Sequence, residues 1–544
     1  MTNDEGMTKA EVRITAPGTE RSGFVIRAFG LLSSFVIRHS SLTSPCGQIR
    51  RRMILILAAW IFIGHWSLVI GHSQTVPKWD ASLVTLEATH QQYDHFQPWQ
   101  RRSRTVQKSA LVVGPRELLT TAEELNDLTV LRLQKNGRGK WVAGKLEWID
   151  YHANLAVLSC DDAGFWQGLK PAELAPKPVR ENLQLVRWKN GSLETRKAEF
   201  NQFNVEDGRL TFINHLQMDV GTEMNAVGWA EPLVSGRKVT GLASGQTGNN
   251  VRVIPASFIA PILDARRKGG FRGLGYFPFV WQPTENPEVH KHLKLDGEAR
   301  GVVIIEVPPV AGDEPVLQPR DLILQVEGFD VDLQGFYVDP DCGPLMIENF
   351  ATRKKFAGDE VRMKIWRDGK LLEVKYRLPR VEYSHKLLPE FLFDQQPEYL
   401  IAGGLVFQPL SNAYLRGFGA DWKRAAPFRL NYFNKESPTK ERPSLVFLSL
   451  VLPDPYNLGY TDGRFLVVDT VNGRKVSKVG DVQEALKFPQ DGYHVIEFMR
   501  SDALRRMVLD AAGMKAATER VLRLYQIPAA ENILKPAGSV VLAR

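Results

Sequence analysis

The chain has 544 residues, 44% hydrophobic and 24% charged, proportions of ordinary globular protein at a length that suits two to four domains. Half of its net charge of +8 lies at the front, where residues 1–52 hold eight Lys or Arg against four acids and leave 61 basic against 57 acidic side chains elsewhere. With no clustered basic face in that remainder, the composition argues against a nucleic-acid binder.

Arg50-Arg51-Arg52 precedes the apolar stretch MILILAAWIFIGHWSLVIGHSQ. A positive segment followed by such a stretch reads as a signal peptide with cleavage near Ser73, which implies export to a periplasm or cell envelope. The alternative is a membrane anchor through residues 53–70, although the fully apolar core, Met53 to Ile63, is shorter than the ~20 residues that span a bilayer. A membrane is a partner only if this segment is retained. The stretches GFVIR (23–27), SFVIRHSS (34–41) and SLVIGHS (67–73) repeat one another and are not domain-like. They fit a start codon placed too early, and residues 1–77 are set apart from the fold.

Residues 78–269 read as short β-strands broken by Gly, Asn or Asp: SALVVG, TVLRLQ, WVAGKLEWID, NLAVLSC, LQLVRW and KVTGLAS. Strands this short and frequent predict a sandwich or barrel. VIPASFIAPILDARRKGG closes the region as a helix ending in basic residues and glycine. Residues 270–382 form a second unit. ENPEVHKHL is helix-like, GVVIIEVPP a buried strand, and VRMKIWRDGKLLEVKYRL a hairpin turning at Asp368-Gly369. Residues 383–536 form a third, with YLIAGGLVFQPLS, LVFLSLVLPDPYNLGY, a turn at Asn472-Gly473, and DVQEALKF as a short amphipathic helix. The second and third units run in the same order and read as divergent copies of one module. Residues 537–544 are a tail. Cys46, Cys160 and Cys342 show neither metal-ligand nor disulfide-framework spacing; Cys160 and Cys342 read as buried free thiols, with a bridge between them as the alternative.

PWQRR (98–102), FWQGLKPAEL (165–174), VWQPTENPEVHKHL (280–293), VLQPRDLILQVEGFDV (316–331) and EYLIAGGLVFQPLSNAYLR (398–416) carry a resemblance. Over roughly residues 90–535 the chain resembles the Deg/HtrA (protease Do-like) serine proteases, in particular their plant-type branch. The resemblance implies a mainly β fold: a chymotrypsin-like double β-barrel followed by two PDZ-like α+β domains. It also implies trimers or multiples of trimers.

Family members carry Leu-Thr-Asn-Ala-His, Asp-Leu-Ala-Leu-Leu and Gly-Asn-Ser-Gly-Gly-Pro-Leu around the catalytic His, Asp and Ser. The matching stretches here are Leu119-Thr120-Thr121-Ala122-Glu123, Asn154-Leu155-Ala156-Val157-Leu158 and Val227-Gly228-Trp229-Ala230-Glu231-Pro232-Leu233. The resemblance therefore places Glu123, Asn154 and Trp229 at the three triad positions. Acyl transfer by such a triad needs an oxygen nucleophile, a base titrating near neutrality and a buried anion to orient it. An indole has no nucleophilic atom, and an amide does not stabilise a cation as a carboxylate does. The oxyanion hole would use the backbone amides of positions 227 and 229, and Val227 stands where the family has glycine. The indole of Trp229 is expected to fill the slot sized for a serine.

A relocated site would draw on Ser235, Ser244 or Thr247 with His152 or His215, all common surface types whose proximity in sequence is weak evidence. His290 and His292 lie on different faces of a short helix and read as exposed, not as metal ligands. Asp339, Asp341 and Glu348 lack the oxygen-ligand spacing of a calcium loop. No metal or cofactor is expected. PDZ domains add a ligand strand to a sheet edge and hold its C-terminal carboxylate on loop amides. The resemblance assigns that loop to Tyr276-Phe277-Pro278-Phe279, where Pro278 has no amide hydrogen to donate. The expected function is peptide or protein binding and assembly by an exported pseudoprotease, with unfolded segments or active relatives as partners. The alternative is a serine endopeptidase with an unconventional or relocated site.

Overall fold

The computed structural model describes residues 79–308, 316–500 and 504–534. The signal or anchor segment and the tail lie outside them. Among the described residues, no helix is long and apolar enough to cross a membrane.

The fold is mainly β. The first sheet contains β1 (Leu83–Tyr93), β2 (Arg101–Gly114), β3 (Glu117–Thr120), β4 (Leu128–Lys135), β5 (Trp141–Ala143), β6 (Lys145–Asp150) and β7 (Leu155–Ser159), in the order β5-β4-β1-β2-β3-β7-β6. Gly144 alone separates β5 from β6, so the chain itself joins the two ends of the sheet. Inward residues such as Val84, Leu86, Ala110, Val112 and Leu133 fill its interior, as the period of two along a strand requires.

The second sheet contains β8 (Glu173–Leu174), β9 (Leu183–Lys189), β10 (Ser192–Asp207), β11 (Asn214–Thr222), β12 (Pro232–Ser235), β13 (Lys238–Thr247) and β14 (Asn250–Pro255). The β12–β13 pairing closes it into a barrel, which removes its free edges. Leu83 and Leu111 of the first barrel pack against Val186, Val234 and Val239 of the second. The predicted helix spans Ala256–Arg267, and Ile259, Ile262 and Leu263 of its buried face join Leu119, Leu155 and Val157 in one cluster.

The next sheet runs β15 (Val280–Gln282), β16 (Val302–Glu306), β17 (Leu322–Val326), β21 (Glu360–Arg367), β22 (Lys370–Arg377), with β18 (Phe329–Asp330) on β17 and a separate hairpin of β19 (Phe336–Asp339) and β20 (Gly343–Met346). The last sheet contains β23 (Tyr399–Ala402), β24 (Leu405–Pro409), β25 (Val446–Val451), β26 (Leu466–Val471), β27 (Arg474–Lys475), β28 (Tyr493–Phe498), β29 (Arg506–Asp510) and β30 (Glu531–Asn532). The path β15-β16-β17-β21-β22 with β18 on β17 repeats as β24-β25-β26-β28-β29 with β27 on β26. The sequence repeats with it: Val280-Trp281-Gln282-Pro283 and Val406-Phe407-Gln408-Pro409 start the two paths. Both Asp368-Gly369 (φ 47° and 80°) and Asn472-Gly473 (φ 49° and 73°) turn with two positive φ values, as these dipeptides favour.

The two copies differ at their outer edge. Among the described residues, β15 has a strand neighbour on one side only, whereas β24 carries β23 on its second edge and β30 beyond that. The first copy shares a continuous core with the second barrel. The second copy is tied to the first barrel by the β1–β2 loop, where Phe96 packs edge-on against Tyr414 and Phe418, each at 5.0 Å or 6.2 Å from a ring of the trio, and Trp99 against Tyr399 at 5.8 Å. The connection between the copies is also anchored: Asp394 accepts from the Asp127 amide at 2.7 Å and the Tyr151 hydroxyl at 2.6 Å.

Two local expectations are corrected. His290 is buried at 4% exposure, because its Nε2 sits 3.1 Å from the Arg300 carbonyl under the helix; His292 is exposed. Cys160 and Cys342 are both free, but Cys342 is only half-buried.

Candidate functional site

β3 ends at Thr120, whose hydroxyl donates to the Ser109 carbonyl at 2.8 Å and fixes the start of the next loop on β2. In that loop the Glu123 amide donates to Asn154 Oδ1 at 3.1 Å. Asn154 is 1% exposed and takes a left-handed conformation (φ 51°), which Asn tolerates better than most residues. The Glu123 carboxylate pairs with Arg209 at 2.6 Å. Trp229 comes from the second barrel, and its carbonyl accepts from the Ser109 amide at 2.8 Å. The structure thus brings positions 123 and 154 into contact and sets position 229 against β2 beside them.

A cleft of about 580 Å³ next to position 229 is lined by Lys108, Ser109, Arg187, Glu194, Trp229 and Glu231 among others, and by neither Glu123 nor Asn154. Trp229 is half-buried and lines this space.

The 226–231 turn is held by its own side chains. Ala226 (φ 56°), Gly228 (φ 117°) and Ala230 (φ 65°) all have positive φ. At Gly228 a side chain is excluded as well, since a Cβ would approach Gly245 Cα at 2.7 Å. The Val227 amide donates to Gln246 Oε1 at 2.9 Å. The Gly228 and Trp229 amides both donate to one oxygen, Glu231 Oε2, at 2.9 Å and 2.7 Å. Glu231 is 3% exposed, and burial pushes its carboxyl above the usual range against the pull of those amides. Its position is where a short side chain reaches back two and three residues to bind its own backbone, a local carboxylate in an amide nest.

Lys108 holds the opposite wall. It is 3% exposed, and its Nζ donates to the carbonyls of Thr121 at 2.6 Å and Glu123 at 2.5 Å. Burial lowers its ammonium to about 7, while Glu123, Glu124 and Glu231 pull in the other direction. Neither Lys108 nor Glu231 stands out in the sequence as a site residue. The available signal was a charge at a buried phase: Lys108 directly precedes the apolar run SALVVG, and Glu231 directly precedes the buried strand β12.

The reserve hydroxyls and imidazoles do not assemble at this cleft. His152 Nδ1 is 3.0 Å from Thr211 Oγ1, but the pair does not line the cleft; the imidazole stacks on Tyr383 at 4.1 Å, and burial lowers it to about 4. His215 is buried on Phe258 at 4.5 Å and is likewise lowered to about 4. Ser235 donates to the Glu181 carbonyl and Ser244 to that of Arg252. Thr247 is exposed at the end of β13.

The Tyr276–Phe279 segment spends its side chains on packing. The Tyr276 hydroxyl lies 2.8 Å from His385 Nδ1, and Phe277 and Phe279 stack at 5.1 Å while both meet Tyr376 edge-on. The strand that follows, β15, keeps its unpaired edge. Across it, the Trp281 indole donates to Glu348 at 3.0 Å. Asp339 accepts from the Asp341 and Cys342 amides and pairs with Arg353 at 2.9 Å, a structural use of that acidic loop. Among the described residues, no group of three or more His, Cys, Asp or Glu converges as metal ligands would.

A family model described as "PDZ domain" matches residues 388–532. Among curated proteins of Arabidopsis thaliana, the chain is 24% identical to "Putative protease Do-like 3, mitochondrial", over 80% of this chain and 76% of that protein. It is 26% identical to "Protease Do-like 2, chloroplastic", over 84% and 76%, and 23% identical to "Putative protease Do-like 13", over 90% and 95%. Among solved structures, the "HtrA-type protease AlgW with decapeptide" aligns at 16% identity with a TM-score of 0.41, covering 56% of this chain and 96% of that one.

Proposed function

We infer that this chain, which belongs to the Deg/HtrA (protease Do-like) family, works by holding polypeptide segments and not by cleaving them. The observation that carries this reading is Glu231. One of its carboxyl oxygens takes both the Gly228 and Trp229 amides, while Gln246 takes the Val227 amide. A developing oxyanion needs free, inward-pointing donors at this turn, and here they are already satisfied from within the chain. Beside them the side chain at position 229 is an indole, and the imidazoles of His152 and His215 are employed elsewhere.

Within this reading, residues 78–269 are a pseudoprotease barrel pair, 270–382 a first PDZ-like unit and 383–536 a second. A ligand strand would add to the open edge of β15, its C-terminal carboxylate resting at the Tyr276–Phe279 loop. Peptides and unfolded segments are the proposed partners, with active family members as assembly partners. A trimer-based homo-oligomer and an exported location follow from the same proposal. Two of the named relatives are mitochondrial or chloroplastic by name, so an organellar address is the competing location.

The test pairs two assays on the purified full chain. Casein is incubated with the wild type and with Trp229→Ala, with and without a serine-directed covalent inhibitor. A labelled peptide with a free C-terminus is titrated in parallel by fluorescence polarisation. The proposal expects no cleavage above background by either protein, and saturable binding that weakens when the peptide is C-terminally amidated. Cleavage by the wild type that the inhibitor abolishes overturns it.

A further inference from the structure

β22 is the far edge of the sheet path that begins with β15. Among the described residues it pairs with β21 and with no strand beyond. Its eight residues, KLLEVKYR, contain no proline, and its register with β21 runs unbroken from Lys370 to Arg377. Its outer face is open: Leu371 is 57% exposed, and the Glu373 and Lys375 side chains are 80% and 69% exposed. A long, regular edge is a template for another strand unless it is blunted. The second copy blunts its own. There the matching strand, β29, has five residues, and the Tyr460 hydroxyl occupies the Val508 backbone, 3.1 Å from its amide and 3.4 Å from its carbonyl.

The turn fixes which backbone groups β22 offers. Asp368-Gly369 is a two-residue hairpin turn, so Arg367 and Lys370 on either side of it form a hydrogen-bonded pair. Bonded and non-bonded pairs then alternate along the ladder. Leu372, Val374 and Tyr376 direct their backbone groups to β21, while Leu371, Glu373, Lys375 and Arg377 direct theirs outward.

The order of charges selects the occupant. When β22 pairs antiparallel with itself about Val374, Glu373 of each chain stands opposite Lys375 of the other. Leu371 lies against the alkyl stem of Arg377. On the inner face Val374 meets its own copy and Leu372 meets Tyr376. Sliding the pairing by two residues sets Glu373 against Glu373 in one direction and Lys375 against Lys375 in the other. Sliding it by one puts the backbone groups out of phase and exchanges the faces. One register therefore satisfies backbone, charge and packing together. Within its own chain Glu373 has Lys364 at 3.8 Å, and Lys375 has Glu360 at 3.6 Å. These are long, exposed pairs of little worth, and both come from the β21 side, which leaves the outer side to a second chain.

We propose that β22 pairs antiparallel with β22 of a second copy of this chain, across a twofold axis at Val374. The contact is self-complementary and closes on itself, so it joins two copies, or two rings of copies, without running on into a fibre. It lies at the opposite end of the sheet path from the peptide-receiving edge of β15 and stands whether or not that edge binds.

The test compares the full chain with Glu373→Lys, Lys375→Glu and the double variant by analytical ultracentrifugation over a wide concentration range. Each single variant sets like charges opposite each other at both pairs and should raise the dissociation constant roughly tenfold. The double variant exchanges the two charges and should assemble as the wild type does. An equimolar mixture of the two single variants should also assemble, since each complements the other. A damaged fold cannot produce that recovery, and unchanged melting temperatures check the point separately. A wild type that does not associate overturns the proposal. So do single variants that assemble like the wild type, or a mixture that assembles no better than either variant alone.

Discussion

In the barrel cleft, the amides of Val227, Gly228 and Trp229 are each donated to a side chain of the same chain. Along β15, one strand edge carries no partner strand among the described residues. In the proposed function both places bear on an extended polypeptide, and the difference between them is one of hydrogen-bond satisfaction. A ligand entering the cleft must first displace Glu231, leaving that carboxyl to find other donors. A ligand at β15 gains backbone bonds without breaking any. The second copy supplies an internal control, since its equivalent strand β24 is covered by β23 and β30. Of three potential sites, two are closed by the chain itself.

The largest test of this contrast is the pH dependence contributed by Lys108. With its ammonium lowered to about 7 in the folded state and near 10.5 in the unfolded chain, the unfolded state binds more protons between those values. Stability therefore rises with pH across that window and is lost as pH falls toward 7. The full contribution is on the order of 5 kcal/mol. Denaturant unfolding at pH 7, 8.5 and 10 should show this slope in the wild type and not in Lys108→Met. Equal slopes in both proteins would mean that the cleft wall is not held by a buried amine.

Next in size is Gly404→Ala, which attacks the cover on β24. Gly404 turns β23 into β24 at φ +88°, and a Cβ there would meet the Leu452 carbonyl at 2.5 Å as well as Asn457. A loss of about 3 kcal/mol is expected from strain and displaced contacts, read as a lower melting temperature. If the loosened hairpin also exposes β24, the variant gains a second peptide-binding phase that the wild type lacks.

Glu231→Ala comes third. It leaves the Gly228 and Trp229 amides without an acceptor, at a cost of about 2 kcal/mol. Acetate at tens of millimolar should restore part of this loss in the variant and do nothing for the wild type. Restoration would show that the amides form a nest for a carboxylate, whoever supplies it. Absence of any acetate effect would mean that the turn has collapsed into another conformation.

The strand pattern and the duplicated order of the last two units were readable because they rest on local signals. Alternating apolar residues, the Asp368-Gly369 and Asn472-Gly473 turns and the shared Val-x-Gln-Pro stretch each act over a few residues. Positions 123, 154 and 229 could be singled out because each sits inside a short stretch resembling a family motif. What was not legible is how Lys108 and Glu231 are used. Lys108 and Thr121 are brought together by strand pairing, so their contact has no signature in sequence. Glu231 lies close to its amide partners in sequence, yet only the positive φ values of Ala226, Gly228 and Ala230 turn those amides toward its carboxyl. The burial of His290 was missed for a related reason: its partner is the Arg300 carbonyl beyond the helix, not a residue of the helix itself.

The smallest expected effect bears on the open side of the contrast. Pro278 stands in the loop that would receive a ligand carboxylate, and it is the one residue there without an amide hydrogen. Pro278→Gly returns a donor while leaving the stacked Phe277 and Phe279 rings and the Tyr276–His385 contact in place. One additional charge-assisted hydrogen bond, offset by the greater freedom of glycine, should strengthen binding of a free C-terminal peptide by about 1 kcal/mol, or roughly fivefold. An amidated peptide presents no carboxylate and should gain nothing. Equal gains for both peptides would place the effect in loop flexibility, and a loss for both would show that the proline holds the edge of β15 in its receptive shape. Only the selective gain identifies this loop as the place where the chain end is gripped, and so separates a working PDZ-like edge from a strand that is merely uncovered.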